Sequence, residues 1–329
     1  MKEAKFISTN KEKWAQMEQG RHLDADRLAA NFVELSDDLA YARTFYPGSD
    51  VERYLNRLVA SYLTDINVGR VPHTKKWWTF WVADFPLLLF EKRKTLRFAL
   101  AFFLLSVLVG VFSAAREDSF VRLILGDGYV NMTLENIAAG TPMKVYDGRN
   151  ALNMFLSITY NNITVAFIAF AWGLLFSAGT LRVLFQNGIM VGAFQYFFYQ
   201  KDLLLHSALS IWAHGTFEIT SIVIAGGAGL VLGNSFLFPG TYPRLQSFRI
   251  GALQGIKILV GLIPFFILAG WIEGFITRYA DTMPVVGLIA MLVSIVGVIG
   301  YFVVYPGYLA RNRNLKTESA ETPVLSNFE

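Results

Sequence analysis

The sequence contains no cysteine and only four histidines. Without cysteine the chain has no disulfide, zinc ribbon, iron–sulfur ligand or thiol nucleophile, and four histidines leave little for a histidine-rich metal centre. Charged residues make up only 16% of the 329 residues, against roughly 25% in soluble domains. Apolar residues reach 54%. These features exclude most soluble enzyme frameworks and predict an integral membrane protein.

The few charges are concentrated in the first part of the chain. Residues 1–97 carry 16 basic and 13 acidic side chains, whereas the remaining 232 residues carry 13 and 12. The first long apolar run starts near Phe98, beyond the range of a cleavable leader, so we expect residues 1–97 to stay on the cytoplasmic side. The net charge of +4 is attributed to membrane anchoring, and no nucleic-acid partner is expected.

Residues 1–76 are predicted to form a cytoplasmic helical hairpin. Thr9-x-x-Glu12 and Ser49-x-x-Glu52 are capping-box patterns. An apolar stripe at helical spacing lies between them, at Leu28, Phe32, Leu35 and Leu39. This hairpin could bind a partner, or it could pack against itself or against the membrane domain.

Residues 77–97 combine aromatic rings with basic side chains, as helices at the membrane–water interface do. We predict an interfacial helix here, bent at Pro86, with membrane lipids as its partner. The anchoring residues are expected to be Trp77, Trp78, Trp81, Lys92, Arg93 and Lys94.

The rest of the chain predicts an all-α, polytopic membrane bundle over residues 98–310, with an external loop at 116–150 that holds one or two short helices. Residues 311–329 are expected to be a disordered cytoplasmic tail. Six crossings and the positive charge at the flanks place both termini in the cytoplasm of a bacterial inner membrane. The predicted spans are Phe98–Ala115, Ser157–Ala178, Leu181–Tyr199, Leu203–Leu232, Ala252–Thr277 and Val285–Tyr305.

Small residues at four-residue spacing predict close helix packing, and they allow a homodimer face. These packing positions are Gly188, Gly192, Gly226, Gly227, Gly229, Gly233, Gly251 and Gly255.

One segment places ionisable residues inside an apolar helix. His214 and Glu218, on either side of Gly215, share a face at i and i+4. Each ionisable group at membrane depth costs about 2.5–3.5 kcal/mol, so we predict that Glu218 pairs with Arg182 or His214. The pair could be a buried packing clamp, or part of a site for a substrate, an ion or a lipid headgroup.

No catalytic residue, metal or cofactor is expected. His214 and Glu218 supply only two ligands, and Glu273 is predicted to lie near the opposite end of another helix. The sequence also lacks the Gly-x-Ser-x-Gly and P-loop patterns of serine hydrolases and nucleotide-driven proteins.

Several ordered motifs resemble the stage II sporulation protein M family over about residues 95–310. They are the runs Gly173–Thr180 and Asn187–Phe194, the His214-Gly215-x-x-Glu218 motif, and Gly226-Gly227-x-Gly229. The resemblance implies a multi-spanning protein that holds peptidoglycan-degrading enzymes in an engulfment complex, or a non-sporulating relative found near MoxR-type ATPases. It supplies no catalytic residue. The charged N-terminal extension departs from the shorter sporulation proteins.

Two functions follow as expectations. The first is a non-enzymatic scaffold of the bacterial cell envelope that positions envelope enzymes, ATPases or other membrane proteins. The alternative is a transporter or lipid-handling protein with a buried polar site at Arg182, His214 and Glu218.

Overall fold

A computed structural model of the chain describes residues 3–19, 25–67, 77–141, 150–277 and 284–321. The regular structure of these residues is helical, which confirms the predicted all-α class. The chain divides into two compact units, Met1–Trp78 and Thr79–Glu329.

The described residues of the first unit form three helices, one more than a hairpin needs. They are α1 (Glu3–Gln19), α2 (Ala25–Phe45) and α3 (Asp50–Asn67). All three contribute to one core, in which Trp14, Leu35 and Leu55 are buried. Burial alone would lower the pKa of Lys13, but the Asp38 and Glu34 carboxylates raise it above its ordinary value and tie α1 to α2.

The two predicted capping boxes have different outcomes. The amide of Glu52 donates to the Ser49 hydroxyl at 3.3 Å, and the Glu52 carboxylate accepts from the amide of Gly48 at 2.7 Å, so this motif does begin a helix. The Thr9 prediction is wrong. Thr9 lies inside α1, where its hydroxyl donates to the Lys5 carbonyl at 2.8 Å, because the helix already begins at Glu3.

The second unit is a helical bundle. Its α-helices are α4 (Phe85–Glu91), α5 (Arg93–Arg116), α6 (Asp118–Leu125), α7 (Asp127–Ala138), α8 (Ala151–Ala171), α9 (Ala178–Gln200), α10 (Leu204–Leu237), α11 (Arg244–Trp271), α12 (Pro284–Val298) and α13 (Tyr305–Glu321). Three π-helical segments, Phe80–Asp84, Ile272–Ile276 and Ile299–Val304, and a 3₁₀ turn at Trp172–Leu174 complete the described elements.

Five helical stretches of the described residues are long and apolar enough to cross a membrane. They are Arg93–Arg116, Ala151–Leu174, Leu204–Leu237, Arg244–Ile276 and Val285–Arg313. The predicted third span falls in α9, which is outside this set. Arg182, Gln186 and Asn187 lower the hydropathy of α9. Nevertheless α9 runs antiparallel to α10, with Leu184 beside Gly226 and Thr180 beside Gly229.

Helix α10 is the centre of the bundle. Every residue from Ser221 to Gly233 is buried, as expected of a helix that is surrounded by other helices. Each glycine of the predicted packing set faces a neighbouring element of this same chain. The facing residues are Phe103 and Ser106 for Gly188, Val107 for Gly192, Leu184 for Gly226, Leu96 for Gly227, Thr180 for Gly229, Ser177 for Gly233, Ser235 for Gly251 and Phe170 for Gly255. The homodimer stays a prediction, and it would need a surface other than these glycine contacts.

Three segments differ in detail from the sequence expectation. The segment predicted to be an external loop contains the two short helices α6 and α7, and residues 142–149 lie outside the described part. The segment predicted to be interfacial contributes Phe85, Leu88 and Leu89 to the bundle core, where Phe85 packs against Gly261. The tail predicted to be disordered from 311 is helical to Glu321, consistent with the helix-forming residues of its sequence, and residues 322–329 lie outside the described part.

The α5–α9 seam provides a test of the packing. A Cβ on Gly192 would overlap the carbonyl oxygen of Val107 and lie 2.8 Å from the Val111 nitrogen. Gly192→Ala should therefore destabilise the protein by about 1–3 kcal/mol, although Gly→Ala in an open helix stabilises by about 1 kcal/mol. Thermal unfolding in detergent measures the difference.

The matched control is Gly307→Ala in α13, where an added Cβ has no described atom within 4 Å. This control should unfold at the wild-type temperature or slightly above it. Equal unfolding temperatures for the two variants would contradict close packing between α5 and α9.

Candidate functional site

Helix α10 places His214 and Glu218 one turn apart on a single face, as their spacing predicts. His214 is buried, with 4% of its surface exposed. The hydroxyl of Ser294 in α12 donates to the carbonyl of Ala213 at 2.5 Å, next to the histidine. This bond fixes the first half of α10 against its neighbour.

A third ionisable residue, Glu273, meets this pair. It lies in the π-helical segment Ile272–Ile276 that continues α11, and its Oε2 is 3.7 Å from Nε2 of His214. One imidazole nitrogen of His214 and one carboxylate oxygen each of Glu218 and Glu273 all lie within 4.8 Å of one another. Non-α turns of this kind occur frequently at functional sites.

The prediction that Glu273 lies away from this pair is therefore wrong. Helix α11 runs antiparallel to α10, with Gly251 beside Ser235 and Gly255 beside Ala228. The far end of α11 thus returns to the level of the first half of α10. The expectation that no metal binds rested partly on placing Glu273 away from His214 and Glu218. That reason no longer holds.

His214 is held through its Nδ1. This nitrogen lies 3.0 Å from the Thr277 hydroxyl, which is also 3.4 Å from the Ile272 carbonyl. When the hydroxyl donates to Ile272, Nδ1 carries the proton and donates to Thr277, and the lone pair of Nε2 faces the two carboxylates. In the other tautomer the hydroxyl donates to Nδ1, and Nε2 carries the proton.

The three residues line a cavity of about 700 Å³. It also reaches Asn161, Asn162, Asn187 and Gln195, and it extends to Tyr129 in the short helix α7. The predicted Asn187 therefore lies on the cavity wall, where its side-chain amide donates to the Val183 carbonyl at 2.9 Å. Gly215 also lines the cavity, and an added Cβ there would meet nothing closer than a methyl group of Ile211 at 3.6 Å.

Arg182 does not belong to this site, which corrects the predicted pairing with Glu218. Its side chain is exposed, and the guanidinium lies 5.7 Å from the centre of the Trp172 ring. Because α9 is antiparallel to α10, the start of α9 lies beside Gly229. Gly229 is about three helical turns from Glu218.

The interfacial anchoring residues have varied environments. Trp77 and Trp78 are exposed, whereas the indole of Trp81 donates to the Gly261 carbonyl at 3.2 Å inside the second unit. The Arg93 guanidinium lies 4.0 Å from the centre of the Phe90 ring, and Lys92 pairs with Glu91 at 2.7 Å. Lys94 is exposed. Their contact with lipid stays a prediction.

Sequence reasoning missed Glu273, Thr277 and Asn162 as members of the site. A signal for Glu273 was present, since it is an isolated carboxylate in the apolar run of residues 258–276. This is the same criterion that selected Glu218. Thr277 and Asn162 carry no comparable signal, because uncharged polar residues are common in membrane helices.

A comparison with known protein families identifies the family to which most of the second unit belongs. The family model for Stage II sporulation protein M matches residues 99–278, more than half of the chain. The chain belongs to this family. The Stage II sporulation protein M region contains His214, Glu218 and Glu273, and it ends one residue after Thr277.

A separate model, Domain of unknown function (DUF8413), matches residues 4–66, within the first compact unit. No curated protein and no solved structure matches the chain.

The separation of Arg182 from Glu218 gives a direct prediction. In a double-mutant cycle with Arg182→Gln and Glu218→Gln, the two effects on the free energy of unfolding should add within about 0.5 kcal/mol. Denaturant unfolding in detergent of the wild type, both single variants and the double variant measures the coupling. A coupling energy above about 1 kcal/mol would instead support the predicted ion pair between Arg182 and Glu218.

Proposed function

We propose that the second unit, the membrane unit of this Stage II sporulation protein M relative, binds a small cation. The cation would lie in the polar cavity beside α10 and take part in a transport or ion-handling activity. The observation that carries the proposal is the meeting of two carboxylates and one imidazole at the cavity wall. Each ionised group at membrane depth is costly, so a cluster of three is retained most readily where it binds something.

The charge of the cavity favours a cation over an anion. Among the described residues that line the cavity, none is a lysine or an arginine. Two glutamates facing each other without a basic partner repel one another when both are ionised. A bound cation removes this repulsion, whereas an anion would increase it.

We place the protein in the bacterial inner membrane with both termini cytoplasmic. The cavity includes Ile124, Leu125 and Tyr129 of the external segment, so in this orientation its route leads outward. The alternating directions of the long helices from α5 to α12 and α13 support an even number of crossings, and basic residues lie at the proposed cytoplasmic ends.

The chain's lack of cysteine allows a direct test of access to the cavity. Asn161→Cys in intact cells should react with a charged, membrane-impermeant thiosulfonate, because the position is exposed and lines the cavity. Leu104→Cys is the matched control, since Leu104 is 53% exposed but on an apolar helix face, where a thiol in lipid would not ionise. Equal labelling, or none at Asn161→Cys, would argue against a water-accessible cavity.

A scaffold function is the second candidate. It is favoured by the first unit, which has its own buried core and matches its own family model. A separately folded unit attached to a membrane domain is suited to hold an envelope enzyme or an ATPase partner. The two candidates are compatible, since cation binding in the membrane unit could accompany recruitment by the first unit.

The scaffold candidate predicts which lesion removes a partner. Deletion of residues 1–76 should abolish co-purification of an envelope protein from mild detergent, whereas Glu218→Gln should leave it intact. Quantitative mass spectrometry of the captured proteins provides the measurement. Partner capture that survives the deletion would contradict recruitment by this unit.

A further inference from the structure

We propose that His214, Glu218 and Glu273 together bind one divalent transition-metal ion, for which Zn²⁺ and Mn²⁺ are suitable probes. The inference rests on the proposed function in one respect, because the ion must reach the cluster through the cavity. It specifies the cation as a metal ion and assigns its ligands.

The geometry fits a three-residue metal site. Protein nitrogen and oxygen ligands bind zinc at about 2.0–2.2 Å, so two ligands of one ion lie up to about 4 Å apart. In this site the ligand atoms lie within 4.8 Å of one another, and Nε2 of His214 is 3.7 Å from Oε2 of Glu273. Small side-chain rotations bring all three to bonding distance of a single ion.

The orientation of His214 is the second argument. In the tautomer with the proton on Nδ1, this nitrogen donates to Thr277 and the Nε2 lone pair is directed at the two carboxylates. Metal-binding histidines have this arrangement, in which the far ring nitrogen donates to an oxygen that fixes the tautomer and the ring orientation. The three groups that converge are then all acceptors, and an ion supplies the missing positive charge.

A buried donor beside the cluster is further support. Asn162 is 3% exposed and lines the same cavity with its side chain towards the Glu218 carboxylate, but its side-chain nitrogen makes no hydrogen bond of normal geometry. A buried amide without a partner is costly. Three protein ligands leave an open position that water takes at an accessible metal site, and this water would accept from Asn162.

The ligand types narrow the choice of metal. The cluster contains no thiolate, which disfavours Cu(I) and iron–sulfur centres. An imidazole beside carboxylates suits Zn²⁺, Mn²⁺ or Fe²⁺ better than Mg²⁺ or Ca²⁺, which prefer oxygen ligands alone.

The experiment measures metal binding directly. The full-length protein in detergent is stripped with a chelator and then titrated with Zn²⁺ by calorimetry and with Mn²⁺ by electron paramagnetic resonance. One ion per chain is expected. Glu218→Gln, Glu273→Gln and His214→Gln should each weaken binding at least tenfold, and Thr277→Val should weaken it about 10–100-fold through the orientation of His214.

The matched control is His206→Gln, which alters a histidine two turns earlier on the same helix and outside the cavity lining. Its affinity should equal that of the wild type. Added Zn²⁺ should raise the unfolding temperature of the wild type and of the control but not of Glu273→Gln. Because the amide of Gln is nearly isosteric with the carboxyl, this variant should stay folded, and its unfolding transition without metal verifies that.

Two outcomes would overturn the metal site. One is a folded wild-type protein that binds no stoichiometric metal, and the other is a Glu273→Gln variant that binds as the wild type does. If Asn161→Cys is labelled while no metal binds, the cavity proposal stands and the metal site fails. If metal binds while Asn161→Cys is not labelled, the metal site stands and the access route fails.

Discussion

The arrangement of the membrane unit depends on how closely α10 lets its neighbours approach. The thirteen residues from Ser221 to Gly233 are all buried. Between membrane helices there is little hydrophobic gain, so association comes from close van der Waals contact and from hydrogen bonds. Gly229 and Gly233 supply that contact, because the residues at the α8–α9 turn lie directly on them.

This packing divides α10 into two halves with different roles. The second half is enclosed by α8, α9 and α11 and holds the helix in place. The first half borders the cavity, and His214 and Glu218 lie on that border. A site at the edge of a rigid seam keeps its side chains positioned while leaving room for a ligand, as a preorganised binding site requires.

The sequence was sufficient for the fold class and for part of the site. His214 and Glu218 follow from helical spacing and from the cost of an ionisable group in lipid, which are local properties. Glu273 could not be placed, because its approach depends on the length of α11, its antiparallel direction and a π-helical turn. Arg182 was misassigned because its distance from Glu218 depends on the antiparallel packing of α9 on α10, which places the start of α9 beside Gly229.

A packing clamp and a ligand site make different demands on hydrogen bonding, and the geometry separates them. A clamp pairs donors with acceptors, since each unsatisfied buried group costs about 1–3 kcal/mol. Here two carboxyl groups and an imidazole converge within 4.8 Å, and no lysine or arginine is among the described residues that line their cavity. In a static bundle, well-packed uncharged residues often stabilise as well as a buried charged set does. The meeting of these groups without a basic partner is therefore better explained by a cation than by helix packing alone.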